Sequence, residues 1–450
     1  MLKLAVCAVL TCLTSAAVSQ DTARMDEVAR SYVKAGTFMG TVLVAQDDKI
    51  LLDKGYGTAN LDWSIPNAPD VKFRLGSLTK QFTATLILLE QQDGKLSIAD
   101  PVSKYIPDTP KAWEKITIAE LLGHTSGIPN FTADPTFHAW SQNPHTPAEL
   151  LAFFDRKPLD FAPGSKFSYS NSGFEVLGVI LEKVSGKTYN ELLHERIFDP
   201  LGMKDSGLDA DDLVLAKRAL GYIGAATPTT APAYAHSESM TVPWAAGSLY
   251  STTHDLLTWE HALFGGKVLS PASLKLMTTP GQGDYGLGIG VRQHDGLTVV
   301  EHGGGIEGFS TFLLDVPEKH IAVVVLSNIS SGAPGSMAHQ LLDVTLGKPV
   351  VLAAERKPVP ITHAELAKFE GAFTLGTDGT FTFAAKDNTL TVAAFGPPMP
   401  LLYEGVKNGH PVFYLAMVNG EVEFLPDATG AIPSLLLSIP GQPDAKGQRK

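Results

Sequence analysis

The sequence predicts an α+β fold: an antiparallel sheet flanked by helices with an all-helical subdomain, then a small antiparallel β-barrel or sandwich. Three observations carry this. A helix and a hairpin come first, a helical middle follows, and strand patterning returns only after Tyr285, so one sheet is assembled from both ends of that region. Its strands are joined largely by hairpins, which makes the pairing mainly antiparallel. Past a Pro-containing stretch at residues 348–360 the pattern changes to short strands and turns. With 450 residues, 44% of them hydrophobic and 18% charged, the chain is globular and long enough for two or three domains. The expected division is an N-terminal signal segment over 1–19, a large domain over 20–350, a linker over 351–362 and the small β domain over 363–450.

Taken in order, Lys3, an apolar run over 4–13 and Ala17-Val18-Ser19 form the pattern of a cleavable secretory signal peptide. The run is too short to span a bilayer, and no later stretch is apolar enough to do so. Both cysteines, Cys7 and Cys12, lie in this segment, so a chain cut after Ser19 has no disulfide and no thiol chemistry. The mature protein is expected to be soluble and secreted or periplasmic. Residues 25–35 read as a helix, and 40–45 and 49–53 as a hairpin about Asp47-Asp48. An amphipathic helix with Phe82, Leu86 and Leu89 closes near Asp93-Gly94. A short helix follows over 118–122, then an irregular, Pro- and aromatic-rich stretch over 128–161 of the kind that lines clefts. Helices are expected over 172–184, ending at Gly186, over 191–198, and after Thr253, a possible cap. Strands follow over 287–291, 298–300, 310–314 and 321–326, the last a continuous apolar run buried on both faces, before a helix over 338–346. In the small domain, strands over 369–375, 380–383, 390–392, 412–415 and 422–425 are separated by Asp378-Gly379, Asn408-Gly409 and Asn419-Gly420 turns, and 441–450 reads as a loose tail.

The net charge of −12, with no basic run, argues against nucleic acid and anionic membrane surfaces as partners. No Gly-x-Ser-x-Gly elbow occurs. No His-Glu-x-x-His occurs either, since His194-Glu195 runs into Arg196-Ile197-Phe198; neither a metal nor a cofactor is expected. His124, His254 and the other lone histidines read as structural or exposed.

Chemistry is suggested by Ser77-Leu78-Thr79-Lys80 at a helix start. Residues three apart share a helix face, about 5–6 Å between Cβ atoms, so the amine can take the hydroxyl's proton. The helix start offers free N–H groups and partial positive charge to an oxyanion. Lysine acts as a base only if burial or a nearby cation lowers its pKa. The spacing alone is weak, because Ser31-Tyr32-Val33-Lys34 repeats it in an ordinary surface helix. Tyr169-Ser170-Asn171 is the only Tyr-x-Asn and lies on a loop. A phenol beside a cationic amine has its pKa lowered and serves as base or relay; the amide orients substrate or Lys80. By itself the motif also fits a turn with a packed Tyr. His302-Gly303-Gly304-Gly305, before the 310–314 strand, lets a ligand approach the backbone and can supply a second oxyanion donor. By itself it also fits a Gly-rich hairpin turn with a surface His.

Together these three motifs resemble the active-site set of the serine β-lactamase and D-Ala-D-Ala carboxypeptidase superfamily, in the branch of class C β-lactamases, related esterases and D-aminopeptidases. Supporting context is His124-Thr125-Ser126-Gly127, Ser170-Asn171-Ser172-Gly173, Pro200-Leu201-Gly202-Met203 and Ala246-Gly247-Ser248-Leu249-Tyr250-Ser251, with the likeness covering roughly residues 25–350. The resemblance implies a β-lactamase/DD-peptidase-like fold and an acyl-enzyme on Ser77. Lys80 and Tyr169 would share the proton transfers, and Asn171 would position the substrate amide or the Lys80 amine. The N–H groups of Ser77 and Gly305 would form the oxyanion hole, with Gly304 beside them in the substrate-binding set. The sequence departs at the third motif, where class C β-lactamases usually carry Lys: His302 is a weaker carboxylate anchor at neutral pH. Peptidase or esterase activity on a small-molecule or peptide substrate therefore ranks above β-lactam hydrolysis. A non-catalytic scaffold that keeps the fold is the reading from another class. The small domain resembles barrels appended to some of these hydrolases, and could gate the cleft, support oligomerisation or stabilise; no pattern sets the oligomeric state.

Overall fold

The computed structural model describes residues 22–225, 231–375, 379–394, 398–440 and 444–450. The signal segment lies outside the described residues. Among the described residues the chain divides into two compact units, one of 38–225 and 231–334, the other of 22–37 and 335–450.

In the first unit, among the described residues, six strands make one antiparallel sheet: β1 (Gly40–Gln46), β2 (Lys49–Tyr56), β3 (Gly290–His294), β4 (Leu297–Ile306), β5 (Phe309–Val316) and β6 (Ile321–Ser327). Their spatial order is β3-β4-β5-β6-β1-β2, so the two ends of the unit meet where β6 pairs with β1. β6 is buried along its whole length, as a two-faced central strand requires. The β4–β5, β5–β6 and β6–β1 registers put Gly305 opposite Ser310, and Ser327 opposite both Ser310 and Gly40, in one row at one end of the sheet. The expected 298–300 strand is in fact ten residues long, and His302 to Gly305 lie inside it rather than in a turn.

Helix α1 (Thr79–Gln92) follows a 3-10 turn, Gly76–Leu78. The expectation of an amphipathic helix is corrected here: every residue from Thr79 to Glu90 is buried. Its polar side chains are paired instead of solvated. The Thr83 hydroxyl donates to the Ala245 carbonyl at 2.7 Å and meets the Tyr189 hydroxyl at 2.7 Å, while Trp259 Nε1 donates to Gln81 Oε1 at 2.7 Å. Trp259 also stacks on Phe82 with ring centroids 4.3 Å apart. Three further helices surround it: α2 (Asn171–Ser185), ended by left-handed Gly186, α3 (Trp244–Gly247) and α4 (Thr253–Phe264). The cap of α4 is Thr252, one residue before the expected one, its hydroxyl accepting from Asp255 N. The 128–161 stretch is less irregular than its composition suggests. Pro147–Phe154 is a helix because Thr146 and Glu149 form a reciprocal capping box, a signature masked by the surrounding prolines.

The second unit holds a helix over 22–34, most of helix Ala333–Thr345, and a closed antiparallel barrel. Among the described residues the barrel has eight strands: β7 (Gly371–Leu375), β8 (Thr380–Lys386), β9 (Thr389–Ala393), β10 (Met399–Lys407), β11 (His410–Leu415), β12 (Gly420–Leu425), β13 (Ser434–Ser438) and β14 (Ala445–Arg449). The tail expected at 441–450 is a correction: residues 445–449 pair with both β7 and β13 and close the barrel, which removes its exposed edges. Arg449 pins it, donating from Nε to the Ile432 carbonyl at 2.6 Å and lying over the Phe373 ring. β10 escaped notice because Pro400 and a bulge between Tyr403 and Gly405 break its alternation. Asp378 lies outside the described residues.

Phe424 contacts the rings of Phe369, Phe373, Phe383 and Phe413 in the barrel interior. Phe424→Ala is expected to destabilise the barrel by about 3–5 kcal/mol. Val406→Ala, at a side chain 60% exposed, is expected to leave the thermal midpoint nearly unchanged. Differential scanning calorimetry of the two variants checks this.

Candidate active site

Ser77 is carried by the 3-10 turn where β4 and α1 meet. Gly76 has φ +57°, and a Cβ there would sit 2.8 Å from the Gly305 nitrogen, so glycine alone lets the turn close on β4. The Thr79 hydroxyl donates to the Gly76 carbonyl at 2.7 Å and fixes the turn. Lys80, one turn on, is fully buried. Its Nζ lies 2.9 Å from Ser77 Oγ, 2.8 Å from Asn171 Oδ1 and 2.9 Å from the Ala246 carbonyl.

Two of these three partners can only accept. A neutral amine has two N–H donors and one lone pair, so with its donors committed to Asn171 and Ala246 its lone pair faces the Ser77 hydroxyl. Burial brings the Lys80 pKa down to about 7, against the opposing pull of Glu175, so the neutral form is well populated near pH 7. The arrangement can therefore remove the Ser77 proton.

Asn171 is the first residue of α2, and the Asn130 side chain accepts from its N–H at 3.1 Å. Its own Nδ2 donates to Thr132 Oγ1 at 3.3 Å, which orients the amide so that Oδ1 faces Lys80. Tyr169 is held by the ring of His124, 4.2 Å away between centroids, whose Nδ1 accepts from the Ser170 N–H. His124 is thus a buried support for the loop. The lowered phenol pKa expected for Tyr169 is corrected: burial outweighs the influence of Ser77 and pushes it above its ordinary value. The Tyr169 hydroxyl is buried, makes no hydrogen bond among the described residues, and stands near Ser77 as a neutral phenol.

His302 lies behind Tyr169, ring centroids 6.3 Å apart. Both its nitrogens are engaged: Nε2 is 2.8 Å from the Tyr285 hydroxyl and Nδ1 2.6 Å from the Gly303 carbonyl. A carbonyl can only accept, so Nδ1 carries the proton and Nε2 accepts from Tyr285. Burial and the Lys80 charge take its pKa down to about 4, so the ring is neutral. Gly304 is wedged into the frame, where a Cβ would lie 1.9 Å from the Leu75 carbonyl; Gly305 has open space and faces the cavity.

The cavity in front of Ser77 has a volume of about 410 Å³, with Asn171, Thr132, Gly305, Phe131 and Phe137 on its walls. Phe131 and Phe137 come from the stretch expected to line a cleft. Sequence reading missed five groups around Ser77. The Ala246 carbonyl and Tyr285 carry no local signal. Glu238 and Glu307 line the cavity from connecting segments. Glu175 was legible in principle, as a lone acid between Phe174 and Val176 on an apolar helix face. It is fully buried, and desolvation raises its carboxyl to about 8, while the Lys80 ammonium and the Ala245 and Ala246 N–H groups pull the other way.

The sequence profile described as Beta-lactamase matches residues 25–346. The chain belongs to the beta-lactamase family. Within it, a Bacillus subtilis (strain 168) chain named as a penicillin-binding protein is 30% identical over 304 residues, 67% of this chain and 74% of its own. An octameric penicillin-binding protein homologue from Pyrococcus abyssi superposes with a TM-score of 0.67 at 25% identity, covering 95% of this chain and 99% of that one. The D-amino acid amidase of Ochrobactrum anthropi SV3 superposes with a TM-score of 0.62 at 26% identity, covering 73% of this chain and 97% of that one. This family member thus shares the serine β-lactamase and DD-peptidase fold, with a closed barrel after it. No group of residues able to hold a metal is found among the described residues, and none of their helices is long and apolar enough to cross a membrane.

Because Glu175 raises the Lys80 pKa, Glu175→Gln is expected to lower it further. The rising limb of kcat/KM with pH, near 7 in the parent, should move to lower pH in Glu175→Gln. A pH profile with p-nitrophenyl acetate measures it, and an unmoved limb would show that the carboxyl does not act on the amine.

Proposed function

We propose that the protein is an exported serine hydrolase that cleaves amide or ester bonds, in peptide-like substrates containing D-amino acids, through an acyl-enzyme on Ser77. The observation that carries this is the lone pair of the Lys80 amine facing Ser77 Oγ at 2.9 Å while its other two partners are acceptors. Neutral Lys80 takes the hydroxyl proton as Oγ attacks the carbonyl. The oxyanion is received by the N–H groups of Ser77 and Gly305, an arrangement typically worth about 3–4 kcal/mol per donor in the transition state. Tyr169, a neutral phenol at rest, relays the proton from Lys80 to the leaving amine or alkoxide. Water then enters along the same path and releases the acid.

Amide substrates are supported by the family and by the likeness to D-amino acid amidase. β-Lactam hydrolysis ranks lower. His302, standing where a cationic Lys would meet the antibiotic carboxylate, is neutral and committed to Tyr285 and Gly303. Export rests on the signal-peptide pattern of residues 1–19.

A fluorophosphonate probe followed by intact-mass measurement is expected to add one adduct to the parent and none to Ser77→Ala. Turnover of p-nitrophenyl esters and D-amino-acid amides should fall by about 10³-fold or more in that variant. Absence of an adduct on the parent, as on Ser77→Ala, would favour the scaffold reading, and rapid nitrocefin turnover would reverse the ranking of substrates. N-terminal sequencing of protein recovered outside the cytoplasm is expected to begin at Gln20; an intact Met1 there would remove the signal-peptide reading.

A further inference from the structure

The cavity in front of Ser77 has an unusual charge balance. Two carboxylates, Glu238 and Glu307, line it, and no Lys, Arg or His does. Glu307 sits in the tight β4–β5 hairpin, next to left-handed Gly308 and two residues beyond Gly305. Glu238 comes from the segment leading into α3. Neither carboxylate forms an ion pair among the described residues. Arg74, whose charge acts on Glu238, is already committed to Asp209 at 2.8 Å, and Asp209 is shared with Arg218. Phe131, Phe137 and Phe309 line the same cavity, and charge beside such apolar walls is screened less than in open water.

Resting on the hydrolase reading above, we propose that Glu238 and Glu307 select amide or ester substrates carrying a primary ammonium group over neutral or carboxylate-bearing ones. Two acids facing one cavity repel each other when both are ionised. Burial and the Glu307 charge raise Glu238 to about 7, so Glu238 readily holds a proton. A substrate ammonium in that place favours the charged form of Glu238 and offers its three N–H donors to the two carboxyls. A substrate carboxylate there meets like charge and finds no cation, since His302 is neutral and turned to Tyr285 and Gly303. The same groups therefore favour one charge and reject the other.

The test uses three fluorophosphonates of equal length ending in ammonium, hydroxyl or carboxylate, with the second-order rate of Ser77 labelling read by intact mass on the full chain. The expected order is ammonium, then hydroxyl, then carboxylate, with about tenfold between the first two. In the Glu238→Gln, Glu307→Gln double variant the ammonium-to-hydroxyl ratio should fall to about one. Glu307→Lys should invert the order in favour of the carboxylate. Thermal melts confirm that each variant folds, and the single Glu307→Gln variant supplies the readout should the double variant not fold. Equal rates for the three probes in the parent, or an order unchanged by the substitutions, would overturn the charge selection while leaving the hydrolase reading intact. Absence of labelling by all three would overturn the hydrolase reading and this inference with it.

Discussion

The burial of one amine organises the site. Lys80 has no access to solvent, so its charged form is disfavoured and its pKa comes down to about 7. A buried amine also needs its hydrogens satisfied, and the partners that do so come from distant points in the chain: Asn171 at the start of α2 and the Ala246 carbonyl in α3. Once those are made, the lone pair has one direction left. The Ser77 hydroxyl lies in it.

The scaffold fixes that geometry by contacts tighter than side chains permit. Gly76 and Gly304 both sit where an added Cβ would strike backbone, at Gly305 N and the Leu75 carbonyl respectively. Close-packed backbone of this kind leaves the turn bearing Ser77 little freedom relative to the strand that lines the cavity. The Thr311 hydroxyl ties the same region by donating to the Leu75 carbonyl at 2.7 Å. A helix sealed on every side then delivers Lys80 one turn later, which explains why α1 carries paired threonines and a glutamine where a surface helix would carry charges.

Behind Ser77, His124, Tyr169, Tyr285 and His302 pack as a group of rings. Neither histidine is cationic there, because burial and the Lys80 charge both oppose protonation. The third motif thus supports Tyr169 through Tyr285 from within the wall, and the task of meeting substrate charge falls to the two acids across the cavity. The cleft is arranged around negative charge, in keeping with the proposed preference for cationic substrates.

Much of this was legible in the chain. Hydrophobic period and turn residues placed the antiparallel sheet, its central strand β6, the helix α1 that follows Ser77, helix α2 with its Gly186 end, and five of the barrel strands, because those signals are local. The three motifs pointed to Ser77, Lys80, Tyr169, Asn171, His302 and Gly305 through spacing and order. What the tertiary structure alone decided was the environment of each: that Lys80 is buried, that Tyr169 is raised rather than lowered, that His302 faces Tyr285, that Glu238 and Glu307 share one cavity, and that residues 445–449 close a barrel. Burial, and pairing between segments far apart in sequence, are properties of the packed chain. A residue's own neighbours along the sequence therefore carry no record of them.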